Sequence, residues 1–384
     1  MCTRKPARCP ALRRPEQRTV NREITSHALQ PESRTRTRTR TKLRTAKPRT
    51  VNPIDLHVHV LGNGLAGSGC RVQRVWWQEP FVRIMSRSIG LTAHPGSVEL
   101  DAAYVQQLRL WLDESSLAAA VLLACDDVHQ EDGVPRPDLS RIYVPNEYVL
   151  ELARQEPRFL PGISIHPARR NAIELLEAGV AAGAVLLKLL PCVQIVDPGL
   201  ARYRLFWRRM AELQLPLLAH TGGEFSLPTY RPDLCNPACL RSILEQGVKV
   251  IAAHCGAPAL PWQRDFSPEF LELRNAFPNL YGDISALSQP VHFKTISRVR
   301  ENPERILYGS DYPVATSVLW SHLVRWISAD EAKRLWKIRN PLQRKLELTQ
   351  ALGFPDGTFS GVYDVLRQTP AVGKVRAGAG ALSL

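Results

Sequence analysis

No apolar run in this 384-residue chain is long enough to cross a bilayer. The best, Ala178–Leu190, is short and broken by Lys188. The eight cysteines, Cys2, Cys9, Cys70, Cys125, Cys192, Cys235, Cys239 and Cys255, show no paired framework, and no secretory apolar segment is evident. These absences speak against a membrane span and a disulfide-stapled secreted domain, and lead us to expect a reducing, cytosolic compartment. Cys235-x3-Cys239 has no second Cys/His pair at zinc-finger spacing, so it reads as the start of a helix. The glycine-rich stretch Gly62-Asn63-Gly64-Leu65-Ala66-Gly67-Ser68-Gly69 lacks the Gly-Lys-Ser/Thr ending of a phosphate loop.

Acidic residues are scarce in one place. Residues 1–50 hold 15 Lys/Arg and 3 Asp/Glu, so +12 of the chain's +14 lies there and the rest of the chain is nearly neutral. The alternation from Arg34 to Thr41 carries few large apolar residues and cannot build a core, so a disordered basic tail is expected. Its arginines could grip phosphates or serve an organelle transit peptide. No aromatics are interleaved to stack bases, however, which argues against nucleic acid as a partner. Hydrophobic content of 44% supplies one large core.

What is present is a series of short apolar runs, spaced by helical patterns. The runs are Ile54–Val60, Ala119–Asp126, Phe159–His166, Ala184–Leu190, Pro216–His220, Val248–His254, Leu280–Ile284 and Arg305–Asp311. In the first, Ile54, Leu56, Val58 and Val60 alternate with Asp55, His57 and His59, which predicts two opposite faces. Val98–Leu112 and Tyr203–Leu213 show helical spacing, while Asn236–Gln246 and Ser267–Phe277 look like helices opened by N-caps. Strands alternating with helices argue an α/β fold with a parallel sheet. His220 and His254 lie 34 residues apart, and Asp283 and Asp311 lie 28 apart. That is about one strand-plus-helix unit, so a closed (β/α)8 TIM barrel would bring such strand ends to one rim.

The expected organisation is a tail over 1–50, a barrel over 51–355 and a C-terminal extension over 356–384, with Thr369–Leu384 a loose end. The long first connection carries the extra segment Leu61–Pro95, expected to shape a substrate pocket on the catalytic face.

His57 and His59 present two imidazoles from one strand, and His220, His254 and Asp311 end later ones. Imidazole and carboxylate donors suit a divalent metal, Zn2+ first, with Mn2+ or Fe2+ also compatible. The order His-x-His, Lys, His, His, Asp resembles the amidohydrolase superfamily. The local sequences Asp55-Leu56-His57-Val58-His59, Lys188-Leu189-Leu190-Pro191, Leu218-Ala219-His220-Thr221-Gly222, Ala253-His254-Cys255-Gly256 and Leu307-Tyr308-Gly309-Ser310-Asp311-Tyr312-Pro313 resemble its amidohydrolase-related branch, over about residues 51–350.

That resemblance implies a metal-dependent hydrolase of a carbonyl-type bond, or a metal-dependent decarboxylase, acting on a small organic molecule. It implies one or two ions, with His57, His59 and Asp311 on the first and His220 on the same or a second. Asp311 would take a proton from water, and His254 would ligate a second ion or act as acid, base or polarising group. Lys188 would be carboxylated and bridge two ions, hold a substrate carboxylate as an ammonium, or merely pair with an acid. Glu224 is a candidate to orient an imidazole, His166 a candidate pocket residue, and Asp283 an expected helix cap. Self-association into a homo-oligomer is left open.

Overall fold

The computed structural model describes residues 52–73 and 79–381. The basic tail expected over 1–50 lies outside these residues. All eight apolar runs form strands: β1 Ile54–His59, β2 Ala119–Leu123, β3 Phe159–Ile163, β4 Leu186–Leu189, β5 Leu217–His220, β6 Val250–Ala253, β7 Leu280–Asp283 and β8 Ile306–Leu307. They pair in parallel and in chain order. The sheet closes on itself between β1 and the segment after β8. There the His59 amide donates to the Tyr312 carbonyl (2.8 Å) and the Asp311 amide to the His57 carbonyl (2.9 Å). Val58 and Tyr312 form a parallel bridge at the same place. The result is a closed (β/α)8 barrel with helices between successive strands.

β8 is shorter than the expected Arg305–Asp311. The Tyr308 amide bonds to the Thr358 carbonyl (2.9 Å) instead of a neighbouring strand, and Asp311 leaves extended geometry at φ 63°. β1 also departs from simple alternation. Its register against β2 shifts between Asp55 and Val58, one residue more on β1 than on β2. Such a bulge re-aims the side chains that follow it. Ile54 and Leu56 therefore join the cluster that fills the barrel, with Val121, Leu160, Leu218 and Ile251. Val58 and Val60 join the layer between strands and helices. The four aliphatic residues do not share one face.

Helices Leu100–Asp113, Arg204–Glu212 and Ser267–Ala276 lie where expected. Asn236 does cap, accepting the Ala238 amide, but it opens a 3-10 turn, Pro237–Leu240, before a short helix Arg241–Glu245. Ser267 is not a cap. Asp265 accepts both its amide (2.9 Å) and its hydroxyl (2.6 Å), and so does that work for the helix start.

The loose end expected at Thr369–Leu384 is, over its described part, a helix, Pro370–Ala381. Val372 and Ala379 are buried in the barrel-filling cluster with Val362, Tyr363, Val365 and Leu366. The Tyr363 hydroxyl donates to the Asn52 carbonyl (2.8 Å), just before β1, and the Arg367 amide to the Val185 carbonyl (3.0 Å), just before β4. The C-terminal segment thus seals the end of the barrel where the strands begin. None of the six described cysteines is disulfide-bonded. Among the described residues no helix is long and apolar enough to cross a membrane.

Candidate metal centre

The candidate ligands come from strands that end at the other rim. His57 and His59 end β1, Lys188 lies in β4, His220 ends β5, His254 follows β6 and Asp311 follows β8. His57, His254 and Asp311 each offer a ligand atom within 4.8 Å of the others, and all three are buried. His59 Nε2 lies 3.2 Å from both His57 Nε2 and Asp311 Oδ1, and His57 Nε2 is 3.3 Å from Asp311 Oδ1. Lys188 Nζ, fully buried, is 3.0 Å from His57 Nε2. The His220 ring sits 5.1 Å from that of His254, and its Nε2 is buried without a hydrogen-bond partner. Six of the six predicted ligand positions therefore converge on one rim.

The backbone there is strained. His254 (φ 61°), Cys255 (φ 51°) and Asp311 (φ 63°) hold left-handed conformations, which cost about 1–3 kcal/mol each and cluster at functional sites. The approach of β8 to β1 is also close. A β-carbon on Gly309 would fall 2.9 Å from His57 Cβ, so no other residue fits without displacing that imidazole.

Electrostatics favour the neutral form of His57 and His220 and the charged form of Asp311. Burial, helped by Lys188, lowers His57 to about 4. Burial, helped by His254, lowers His220 well below the usual range. Burial alone would raise the Asp311 carboxyl, but the adjacent His57 and the His59 hydrogen bond hold it well below normal. Burial lowers the Lys188 ammonium from its ordinary value.

Asp283 is not the helix cap expected of it. Its Oδ2 lies 2.8 Å from His57 Nδ1, and its Oδ1 accepts the amides of His254 (2.9 Å) and Ser285 (3.1 Å). The Ser285 hydroxyl donates to Asp283 Oδ1 (2.5 Å) and approaches the Nδ1 atoms of His57 (3.0 Å) and His254 (2.9 Å). The Ser285 carbonyl is 3.1 Å from His254 Nδ1. A carboxylate and a carbonyl only accept, so both histidines carry their proton on Nδ1 and turn a bare Nε2 to the centre. Ser285 went unread in the sequence, because only its place two residues past a strand-terminal Asp could have flagged it.

Glu224 is a neighbour of His220 (Oε2 to Nε2, 3.6 Å), while its other oxygen accepts the amides of Phe225, Ser226 and Leu227. His166 stays out of the centre. Its Nε2 donates to the Gln194 carbonyl (3.0 Å), and its Nδ1 accepts the Ala168 amide (3.1 Å). Asp55 accepts the amides of Ser310 (2.9 Å) and His57 (3.2 Å), tying β1 to the segment that carries Asp311.

The donor set fits a divalent ion. It offers imidazole nitrogens grouped around an ionised carboxylate, with supporting acceptors behind the His57 and His254 rings. Closed barrel and rim-mounted donors together define a (β/α)8 protein with a candidate metal centre. The chain belongs to the amidohydrolase family, a metal-dependent enzyme family, whose model, described as Amidohydrolase, matches residues 54–350. No curated protein matches it. Among solved structures it is similar to an uncharacterised TIM-barrel protein from Bordetella bronchiseptica, at 17% identity over 79% of this chain and 99% of that one, with a TM-score of 0.49. It is similar also to 4-oxalomesaconate hydratase from Rhodopseudomonas palustris (14%, 86% and 100%, TM-score 0.48). A third is 2,6-dihydroxybenzoate decarboxylase from Rhizobium (15%, 78% and 98%, TM-score 0.40). The fold assignment rests on the closed sheet, not on these likenesses.

Proposed function

We propose that this chain is a metal-dependent hydrolase in which activated water attacks a carbonyl-type bond of a small organic substrate. The observation that carries this reading is the buried convergence of His57 Nε2, His254 and an ionised Asp311, with both histidine tautomers set from behind. His57, His59, His254 and Asp311 would hold the ion, with His220 beside them. A divalent ion supplies Lewis acidity, lowering the pKa of water and polarising a carbonyl oxygen.

The chain's own groups do the rest. Asp311, kept charged among imidazoles, accepts the proton of the attacking water and returns it to the leaving group. Asp283 keeps the His57 ring from turning. Lys188, in reach of His57 Nε2, is a buried lysine at the centre. This favours a second reading, in which Lys188 holds a substrate carboxylate and the reaction is a decarboxylation.

The test is a panel of small esters, lactones, amides and aromatic carboxylic acids, with product analysis. Acid plus alcohol or amine supports hydrolysis, and released CO2 supports the second reading. Asp311→Asn is expected to abolish turnover while circular dichroism stays unchanged. Activity retained in that variant removes Asp311 as the proton acceptor.

A further inference from the structure

Beside the candidate centre lies a cavity of about 310 Å³, roughly the volume of ten water molecules and near the lower end of ligand-sized pockets. Its walls come largely from the segment after β1 and from helix Leu100–Asp113, including Leu61, Val72, Val82, Met85, Ile89 and Leu100. The centre and the cavity share a wall. Tyr104 lines the cavity and donates its hydroxyl to the His59 carbonyl (2.8 Å). Pro313 lines it two residues after Asp311, and Leu227 lines it while donating its amide to Glu224, the neighbour of His220.

Among the described residues, no Arg, Lys, His, Asp or Glu lines this cavity. Its amide side chains are already engaged by the loops. Asn63 donates to the Pro95 and Ser97 carbonyls, and Gln73 to the Pro137 carbonyl. Arg71, next to the lining residue Val72, is also held, by Asp127. A pocket that takes an anion needs forked or point cations directed into it. The described walls of this one are mostly apolar instead.

We propose that the cavity binds an uncharged aliphatic or aryl group of the substrate, next to the bond being cleaved. The preferred substrate class is then a neutral ester, lactone or amide with an apolar acyl group, not a polycarboxylate. This rests on the hydrolase reading above.

The test uses the metal-loaded full-length protein and two matched series of 4-nitrophenyl esters, one from acetate to hexanoate and one ending in a carboxylate, from succinate to adipate. In the neutral series kcat/KM is expected to rise about fourfold per methylene, the worth of burying one CH2. The carboxylate-ended series is expected to fall at least tenfold below its neutral partners. Val82→Trp, which fills the cavity, should flatten the neutral series, so that kcat/KM no longer rises from acetate to hexanoate. Met85→Arg is a second variant, expected to reverse the preference between the two series.

2-Octanone, a neutral ketone with no ester or amide bond to cleave, is titrated calorimetrically in parallel. Binding of 2-octanone that Val82→Trp removes, without any ester turnover, upholds the cavity and sinks the hydrolase reading. Turnover with a flat chain-length profile, or with preference for the charged series, overturns the cavity proposal and leaves hydrolysis standing.

Discussion

Asp283 Oδ2 and His57 Nδ1 lie 2.8 Å apart, both completely buried, across 226 residues of chain. The pair decides which nitrogen of His57 faces the candidate centre. The same carboxylate fixes the His254 backbone through its other oxygen, so a single side chain supports two candidate ligands.

Replacing Asp283 with Asn should lower metal affinity about 10–100-fold, the usual effect of losing such a supporting carboxylate. The amide can present its NH2 to His57 and so favour the opposite tautomer. Metal titration followed by calorimetry reads this directly, and affinity equal to wild type would show that Asp283 does not set the ring.

The described donor atoms form one tight group, His57, His254 and Asp311, so one divalent ion per chain is the expected content. Elemental analysis of purified protein gives the number. Two ions per chain would instead favour a carboxylated Lys188 bridging to His220 and His254.

His166 sets an acid limit on stability. Burial lowers it to about 4, against an ordinary value near 6.5, so the folded state holds it neutral. Its folded pKa is depressed, so its stabilising contribution is complete above about pH 6.5 and is lost as pH falls towards 4. The loss amounts to about 3 kcal/mol at most, because a second ring proton would displace the Ala168 amide from Nδ1. Thermal melts at neutral pH and near pH 4.5 should show a smaller drop for His166→Gln than for wild type. Equal drops would assign the acid sensitivity elsewhere.

Ending the chain at Pro355 should unfold it. Val362, Tyr363, Val365, Leu366 and Val372 are buried in the barrel-filling cluster. Each such side chain contributes about 1.5–3 kcal/mol, and their sum rivals the roughly 5–15 kcal/mol stability of a whole domain. A soluble truncated protein with native circular dichroism would show that the barrel end needs no seal.

The eight strands and the six candidate ligands were legible in the sequence because both signals are local. A short apolar run bounded by turn residues marks a strand whatever it later touches. A histidine or aspartate at the end of such a run, repeated at one-unit spacing, marks a rim. The C-terminal helix also left a local trace, Val372, Val375 and Ala379 at helical spacing, but three glycines, Gly373, Gly378 and Gly380, obscured it.

Only the closed barrel decided the rest. The bulge in β1 arises from pairing with β2, and it separates Leu56 from Val58 without any mark in their alternation. The partnership of Asp283 and Ser285 with His57 and His254 joins β7 to β1 and β6. An acid at a strand end looks the same in sequence whether it caps a helix or orients a ring. Which of these it does depends on the side chains that folding places within 3 Å of it.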